Sequence, residues 1–305
     1  MNVLVTGAYG FLGRHVATEF VKRGHFVVGC GRGAWDQADF GLWGLSRWYE
    51  GNVSKALLSS IECKIDVIVH CAGGGSVAAA NSDPIKDFND TVGGLYEVLE
   101  FIRIDSPNTR LIYPSSPAVQ GSHNETPFKV DDELLPVSLY GFHKKQSEDL
   151  CAAFGSLFNL DIFVVRLFSV YGTALRKQLL WDACKKLMAG NQIVEFWGEG
   201  SETRDFVHVT DVAELFIQIA SSQVVDAPRI INCGSGKACT VKTLVEKLRD
   251  RLGVSVDVLF NGQSKPGDPR YYQACLDESR AFSWVPKVDI DDGLDGYVSW
   301  FLNDK

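Results

Sequence analysis

The chain has 305 residues, 46% of them hydrophobic and 22% charged, which suits one large α/β domain or a major domain with a smaller lobe. A formal net charge of −8 argues against a nucleic-acid or anionic-membrane surface, and no apolar run is long enough to span a bilayer. The eight cysteines include no CxxC pair, so we expect free thiols in a reducing cytoplasm and no metal site.

Taken in chain order, short and continuously apolar runs predict buried parallel strands. They cover residues 2–6, 26–30, 66–70, 110–115, 162–168 and 229–233. Helical periodicity predicts helices at about 11–23, 85–104, 139–158 and 210–221, and a basic amphipathic helix within 175–187. The N-terminal segment MNVLVTG has no basic leader and is interpreted as the first strand, consistent with a cytoplasmic protein.

These alternating elements predict a Rossmann-type, doubly wound parallel α/β sheet. From about residue 171 the alternation becomes irregular, which predicts a smaller C-terminal lobe over the carboxyl edge of the sheet. We therefore expect a dinucleotide-binding domain at 1–170, to which 206–233 return. Residues 171–205 and 234–305 would form mainly the substrate-binding lobe.

The stretch VTGAYGFLG places Gly7, Gly10 and Gly13 between the first strand and the first helix. In this position Gly7 permits a tight turn, Gly10 lets the backbone approach a pyrophosphate, and Gly13 allows the helix to pack closely. A mere tight turn is the alternative, but the place of the loop in a strand–helix–strand unit predicts a dinucleotide-binding site.

The end of the second strand bears on which dinucleotide binds. NAD-binding proteins usually carry an acid there, whereas this strand ends GCGRG, with Arg32 close by. A cation suits a 2′-phosphate, so the sequence favours NADP(H), with NAD(H) as the alternative. Arg32 as a solvated loop residue is the other interpretation, and Asp36 is the acid that could serve NAD.

The segment YGFHK places Tyr140 and Lys144 on one face near the start of a predicted helix. A phenol whose pKa is lowered by an ammonium and a cationic nicotinamide can exchange a proton with a sugar oxygen. Two surface residues would often show this spacing by chance, but here the glycine loop, HCAG and the serines of LIYPSSPAVQG precede it. We expect His143 to be exposed and to have no catalytic role.

With these motifs the sequence resembles the extended short-chain dehydrogenase/reductase family, in particular its nucleotide-sugar epimerases, dehydratases and reductases. The resemblance implies Tyr140 as acid/base, Lys144 as its electrostatic partner, and Ser116, rather than Ser115, as the hydroxyl that binds the reacting sugar oxygen. It also implies these cofactor contacts: Gly7, Tyr9, Gly10, Phe11, Leu12, Gly13, Arg32, Asn52, Val53, Cys71, Ala72, Gly73, Tyr140, Lys144 and Phe168.

The substrate side of the resemblance lies in WGEGSETRDFVHVTDVA, where Arg204 would hold the diphosphate of a nucleotide sugar. The alternative for Arg204 is a surface ion pair with Asp205. Ser169 and Thr91 stand where many relatives have asparagine. The substrate-binding residues implied by the resemblance are Ser76, Ser116, Ser169, Arg204, Lys265 and Arg270.

Pro117 and Ala118 follow Ser116 where sugar 4,6-dehydratases need an acid–base pair, so dehydration is disfavoured. We expect NADPH-dependent reduction of a 4-keto-6-deoxy nucleotide sugar, and the alternative is a nucleotide-sugar 4-epimerase with tightly bound NAD. A non-catalytic dinucleotide-binding regulator is the alternative of another class. The resemblance also implies a homodimer built on helices 85–104 and 139–158.

Overall fold

The computed structural model describes residues 1–122, 127–223, 229–263 and 270–303. The predicted strands and helices are present in it with bounds close to those expected. The strands of these segments are β1 (Asn2–Thr6), β2 (Phe26–Gly31), β3 (Arg47–Glu50), β4 (Val67–His70), β5 (Arg110–Ser115), β6 (Ile162–Leu167), β7 (Ser169–Tyr171), β8 (Ile193–Phe196), β9 (Thr203–His208), β10 (Ile230–Cys233), β11 (Ala238–Thr240) and β12 (Asp257–Phe260).

The helices of the same segments range from four to 20 residues in length. Their bounds are α1 (Phe11–Lys22), α2 (Gln37–Leu42), α3 (Lys55–Ser59), α4 (Val77–Ser82), α5 (Pro84–Phe88), α6 (Gly94–Asp105), α7 (Leu139–Phe158), α8 (Gln178–Leu187), α9 (Val209–Ser221), α10 (Val241–Leu252), α11 (Asp277–Arg280) and α12 (Ile290–Asn303). A π-helical turn (Asn89–Gly93) joins α5 to α6, and a 3₁₀ turn (Pro117–Val119) follows β5.

The central sheet has the strand order β10-β6-β5-β4-β1-β2-β3, and all of its strand pairs in the described residues are parallel. The prediction of a doubly wound α/β sheet is therefore confirmed. From β1 the chain builds outward to β2 and β3, then returns to place β4 on the other side of β1. The carboxyl ends of β1 and β4 thus form the switch point at which such sheets bind ligands.

Apolar layers cover both faces of this sheet because its strands are hydrophobic on both sides. Val3 and Val5 of β1 belong to the core shared with α1 and α9, whereas Leu4, between them, belongs to the core shared with α6 and α7. This alternation follows from the two-residue period of a strand. The sheet is consequently held rigidly between helices while its carboxyl edge stays open.

A second core lies beyond β6, in the part of the chain that was expected to form the lobe. It is built from α8, α10 and α12, and from a small sheet in which β9 lies between β7 and β11. The buried Tyr297 hydroxyl donates a hydrogen bond to the Leu175 carbonyl at 2.8 Å, which fastens α12 to the segment before α8. No helix in the described segments is long and apolar enough to cross a membrane.

One predicted helix is interrupted, and one strand of the central sheet was not predicted. The predicted helix 85–104 is α5, the π-helical turn and α6 in succession rather than one regular helix. The edge strand β3 was not predicted, because its sequence RWYE is short, carries charge at both ends and has no continuous apolar run.

Candidate active site

A groove of about 740 Å³ opens at the carboxyl ends of β1 and β4. The loops after β1, β2, β3 and β4 meet there, together with the segment from α5 to the start of α6. The predicted cofactor residues that line it are Gly7, Tyr9, Gly10, Arg32, Asn52, Val53, Cys71, Ala72 and Gly73. The structure therefore brings together most of a set that is spread over four loops of the sequence.

The glycine loop leaves the backbone of this groove free for close approach by a ligand. A Cβ atom on Gly7, whose φ is +66°, would lie 2.7 Å from the backbone nitrogen of Ala72. A Cβ atom on Gly13 would lie 2.4 Å from the Gly7 carbonyl oxygen. Helix α1 starts after Gly10 without a side-chain cap and without an acidic residue in its first turn. Its N–H groups and the positive end of its dipole therefore fit a dinucleotide pyrophosphate.

Six residues of the predicted cofactor set do not line the groove: Phe11, Leu12, Gly13, Tyr140, Lys144 and Phe168. Phe11 and Leu12 are half-buried in the first turn of α1, where Phe11 packs against the lobe core and Leu12 against the sheet core. Phe168 is buried against the rings of Phe128 and Tyr272, with centroid distances of 6.1 and 5.8 Å. The side chains of Phe11, Leu12 and Phe168 belong to packed apolar clusters rather than to the lining of the groove.

Arg32 lies in the groove, but its guanidinium is already paired. It donates two hydrogen bonds to the Asp90 carboxylate, at 3.1 and 2.7 Å. Lys86 contacts the same carboxylate. The cation that was expected to accept a 2′-phosphate is therefore held by an acid that the sequence did not reveal. Asp36, the other acid considered, instead caps α2 by accepting from the Asp39 amide at 2.8 Å.

Ser116 and Tyr140 meet, although 24 positions separate them in the chain. Tyr140 stands in the first turn of α7, whose N-terminus Ser138 caps by accepting from the Gly141 amide at 3.2 Å. Burial raises the pKa of Tyr140 to about 12, a hydrogen bond from Ser116 opposes this rise, and the Asp87 charge adds to it. The expected lowering of the phenol pKa is thus absent in this structure.

Lys144 lies one turn further along α7 and is buried beneath the site. Its ammonium donates to the Tyr113 hydroxyl at 3.2 Å and to the Pro114 carbonyl at 2.9 Å, and it lies 4.8 Å from the Tyr113 ring centroid. Burial lowers the pKa of Lys144 to about 8, against the nearby Asp87 and Glu148 carboxylates, which raise it. The ammonium is thus directed at β5 in this structure.

The prediction that His143 is exposed was wrong. Its ring is buried, and Nδ1 lies 2.6 Å from a carboxylate oxygen of Asp87, which is also buried. Gly74 packs on this pair so closely that a Cβ atom there would lie 1.9 Å from the other Asp87 oxygen. The helical spacing of three places His143 beside Tyr140, on the face of α7 that turns inward. A buried acid–imidazole pair therefore lies next to the predicted catalytic residues.

The predicted substrate-binding residues other than Ser116 belong to several different elements. Ser76 caps α4, Ser169 begins β7, and Arg204 lies half-buried in β9 with its guanidinium 5.8 Å from the Tyr272 ring centroid. Arg270 is exposed and pairs with Glu199 at 3.3 Å. Lys265 lies outside the described residues.

The alternative considered for Arg204 was an ion pair with Asp205. The Asp205 carboxylate is buried and instead accepts hydrogen bonds from the backbone amides of Gly236 and Ala274, both at 2.9 Å. Asp205 thereby ties β9 to the loop after β10, and Arg204 donates to the Thr203 carbonyl at 2.8 Å. The Asp205 carboxylate is therefore held by backbone amides rather than by Arg204.

Two residues that the sequence did not single out join the lobe to the loop after β4. The Gln178 side-chain amide donates to the Gly75 carbonyl at 3.3 Å. A Cβ atom on Gly75 would lie 3.1 Å from the Lys177 ammonium, whose pKa is lowered by burial. The basic pattern of 175–187 was the available signal, but it does not say which lysine faces inward.

Comparison with known proteins identifies a matching family, related sequences and a similar solved structure. The model of the NAD-dependent epimerase/dehydratase family matches residues 3–234. UDP-glucuronate 4-epimerase 1 of Arabidopsis thaliana is 26% identical over 99% of this chain and 77% of its own length. A putative UDP-glucose 4-epimerase of Methanocaldococcus jannaschii is 26% identical over 99% of this chain and 98% of its own length. The crystal structure of Bacillus cereus UDP-glucuronic acid 4-epimerase, in complex with UDP-glucuronic acid and NAD, superposes with a TM-score of 0.89 at 22% identity and covers both chains fully.

Proposed function

The chain belongs to the NAD-dependent epimerase/dehydratase family, and from that premise we propose that it is an NAD-dependent 4-epimerase of a UDP-linked sugar, with UDP-glucuronate as the first substrate to test. Family membership confirms the resemblance to extended short-chain dehydrogenases/reductases and the prediction of an enzyme. The observation that carries the proposal is the interaction of Ser116 with Tyr140 in a chain whose glycine loop leaves room for a dinucleotide.

The proposed epimerisation needs one group that moves a proton at the C4 oxygen. When bound, NAD supplies a reversible two-electron oxidation of C4. Tyr140 removes the proton from the C4 hydroxyl as C4 is oxidised and returns it after the 4-keto sugar has presented its other face. Ser116 donates a hydrogen bond to the same sugar oxygen and keeps it within reach of the phenol.

Lys144 tunes this proton transfer. With a pKa of about 8 its ammonium is mostly protonated at neutral pH. Rotation of the ammonium from Pro114 toward the phenol would stabilise the phenolate and lower the pKa of Tyr140. We propose that this rotation accompanies cofactor binding, since Lys144 contacts the nicotinamide ribose in the proposed complex.

The reductase that the sequence favoured has weaker support than the epimerase. The names of the relatives are those of 4-epimerases, and the Bacillus cereus structure was solved with NAD. Arg32, the basis for preferring NADP(H), is engaged by Asp90. Dehydration stays disfavoured because Pro117 and Ala118 cannot carry a proton.

We propose that the sugar nucleotide binds between the two parts of the chain predicted as domains, 1–170 with 206–233, and 171–205 with 234–305. Arg204 is the proposed diphosphate ligand, helped by Lys265 and Arg270, because a guanidinium matches two phosphate oxygens at once. Ser76 and Ser169 are proposed to bind sugar hydroxyls. The Lys177 ammonium offers a counter-charge for a carboxylated sugar at the loop after β4.

The experiment that tests the proposal is incubation of the purified protein with UDP-glucuronate, with NMR detection of its C4 epimer, UDP-galacturonate. We expect conversion without added reductant, and loss of about 10²- to 10⁴-fold in kcat for Tyr140→Phe, which keeps the ring but not the proton. UDP-glucose serves as the comparison substrate. Oxidation of NADPH by a 4-keto-6-deoxy sugar nucleotide, with no epimerisation of either substrate, would establish the reductase instead. No turnover of any of the three would favour the dinucleotide-binding regulator.

A further inference from the structure

The adenosine end of the groove is built differently from the usual NAD site. Strand β2 ends at Gly31, so no acidic side chain stands at the strand end where a ribose diol is ordinarily bound. The acid that engages Arg32, the residue after that strand end, comes from elsewhere in the chain. Asp90 belongs to the π-helical turn that follows α5, and it lines the same groove as Gly31 and Arg32.

Asp90 links the two walls of the groove. It accepts two hydrogen bonds from the Arg32 guanidinium of one wall, at 3.1 and 2.7 Å, and is contacted by the Lys86 ammonium of the other. The Asp90 side chain is 24% exposed, and Arg32 and Lys86 are each 54% exposed. The carboxylate is therefore the shielded centre of the cluster, and the two cations are its solvent-facing partners.

Asp90 is ionised at neutral pH. Burial would raise the pKa of its carboxyl, but the hydrogen bonds from Lys86 and Arg32 outweigh burial and hold the pKa below its usual range. An anionic acceptor suits the hydroxyls of a ribose, which can donate hydrogen bonds to it. A 2′-phosphate carries a charge of about −1.5 to −2 at pH 7, so it would be repelled by Asp90 and would have to displace it from Arg32.

We propose that Asp90 determines the preference of this chain for NAD over NADP, by occupying Arg32 and by presenting a carboxylate where a 2′-phosphate would bind. The inference rests on the proposed NAD dependence and adds the residue responsible for it. It also explains why Arg32 wrongly favoured NADP(H) in the sequence analysis. A cation after β2 favours a 2′-phosphate only when no carboxylate of the protein already pairs with it. Without Asp90, the groove would hold two unpaired cations, Arg32 and Lys86.

The test is direct measurement of NAD⁺ and NADP⁺ dissociation constants by titration calorimetry, on the full chain freed of bound nucleotide. We expect the wild type to bind NAD⁺ at least about tenfold more tightly than NADP⁺. Asp90→Asn should shift the ratio of the two constants toward NADP⁺ by about tenfold or more, because a released guanidinium forms charge-assisted hydrogen bonds to phosphate. Adding Arg32→Met to Asp90→Asn should abolish that gain.

Asp83→Asn is the matched control. It removes the same charge from the same groove, but the Asp83 carboxylate accepts from the Lys86 backbone amide at 3.1 Å, and asparagine caps a helix equally well. An equal shift in Asp83→Asn would overturn the inference in favour of a general charge effect. An unchanged ratio in Asp90→Asn, or a wild type that prefers NADP⁺ or binds neither dinucleotide, would overturn it as well.

The same titrations separate this inference from the proposed function, because binding is measured without turnover. A chain that shows the predicted shift in Asp90→Asn but epimerises no sugar nucleotide would retain the role of Asp90 and lose the epimerase assignment. A chain that epimerises UDP-glucuronate while Asp90→Asn leaves the ratio unchanged would do the reverse.

Discussion

At the scale of single residues, two adjacent serines at the end of β5 have different partners. The Ser116 hydroxyl interacts with Tyr140 and favours a lower pKa of its phenol, whereas the Ser115 hydroxyl donates to Glu148 at 2.6 Å. Glu148 is also held by Arg166, through two hydrogen bonds of 3.1 and 2.8 Å. Successive side chains of an extended chain point to opposite sides, so one serine faces the site and the other a buried ion pair. Their roles are not interchangeable.

The buried Asp87 carboxylate should control the pH dependence of catalysis. Its negative charge raises the pKa of Tyr140, so Asp87→Asn should lower that pKa and move the ascending limb of the kcat profile to lower pH, by up to about one unit. Asparagine keeps an acceptor for the His143 ring, so the fold should persist. The measurement is kcat of UDP-glucuronate epimerisation from neutral to alkaline pH.

The control for this variant is Asp149→Asn, on the exposed side of α7, the helix that carries Tyr140. Asp149 pairs with Lys145 at 2.9 Å and is 61% exposed, so solvent screens its charge from the site. Its profile should match that of the wild type. If the ascending limb of the kcat profile moves to higher pH in Asp87→Asn, or moves equally in both variants, an electrostatic action of Asp87 on Tyr140 would be ruled out.

At the scale of elements, the π-helical turn between α5 and α6 contacts both the loop after β2 and the loop after β4. An extra residue in a helical turn re-aims the side chains that follow it, and such turns are frequent at functional sites. Here Asp90 turns to Arg32, and the buried Thr91 hydroxyl accepts from the Gly74 amide at 2.8 Å. The loop after β4 is thereby fixed to the helix that carries Asp87.

The contact between α1 and the glycine loop should tolerate little added volume. In Gly13→Ala the new methyl group would lie 2.4 Å from the Gly7 carbonyl, so α1 must move away from the loop. Overpacking of this kind costs about 1–3 kcal/mol, and we expect lower thermal stability together with weaker NAD binding. Thermal unfolding with and without NAD measures both effects.

Gly41→Ala is the matched substitution for this prediction. Gly41 lies in α2, and a Cβ atom added there would meet open space, so alanine should be neutral or should stabilise by up to about 1 kcal/mol through helix propensity. Equal losses in the two variants would show that the tight contact at Gly13 is not the cause.

At the scale of the whole molecule, an apolar surface remains exposed where α6 and α7 run side by side. The ring centroids of Tyr96 and Phe154 lie 5.6 Å apart, and those of Phe154 and Phe158 lie 5.2 Å apart. Tyr96 is 47% exposed and Phe158 is 46% exposed. Neighbouring exposed aromatic side chains on two long helices favour contact with another protein surface. This face coincides with the homodimer contact expected from the resemblance, which we retain as a proposal.

A charge placed in this face should separate the subunits. We expect the wild type to sediment as a dimer and Tyr96→Glu as a monomer, because a carboxylate buried in an apolar interface has no partner. Leu42→Glu, at an 84% exposed position on α2, should leave the sedimentation coefficient unchanged. A monomeric wild type, or a dimer that survives Tyr96→Glu, would refute the proposed interface.

The sequence by itself determined those features that depend only on residues close together along the chain. The apolar runs of the central strands and the glycine loop are local patterns, and they predicted the sheet and its ligand edge with bounds close to those observed. The resemblance carried by the order of motifs likewise assigns Ser116 and Tyr140 to one site, and that assignment stays a prediction. The fold prediction was confirmed because strand period, turn chemistry and helix spacing act over a few residues.

Only the tertiary structure decided the charge state of the site. Asp87 meets His143 across 56 positions, and Arg32 meets Asp90 across 58. Neither pair leaves a signature in its own segment, which is why His143 was expected at the surface and Arg32 was taken as a free cation. Electrostatic interactions depend on distance and burial in space, and both quantities are set by how separate helices pack on the sheet. The enzyme family could therefore be recognised from the order of motifs, whereas the preference for a reductase rested on Arg32, whose partner only the folded chain reveals.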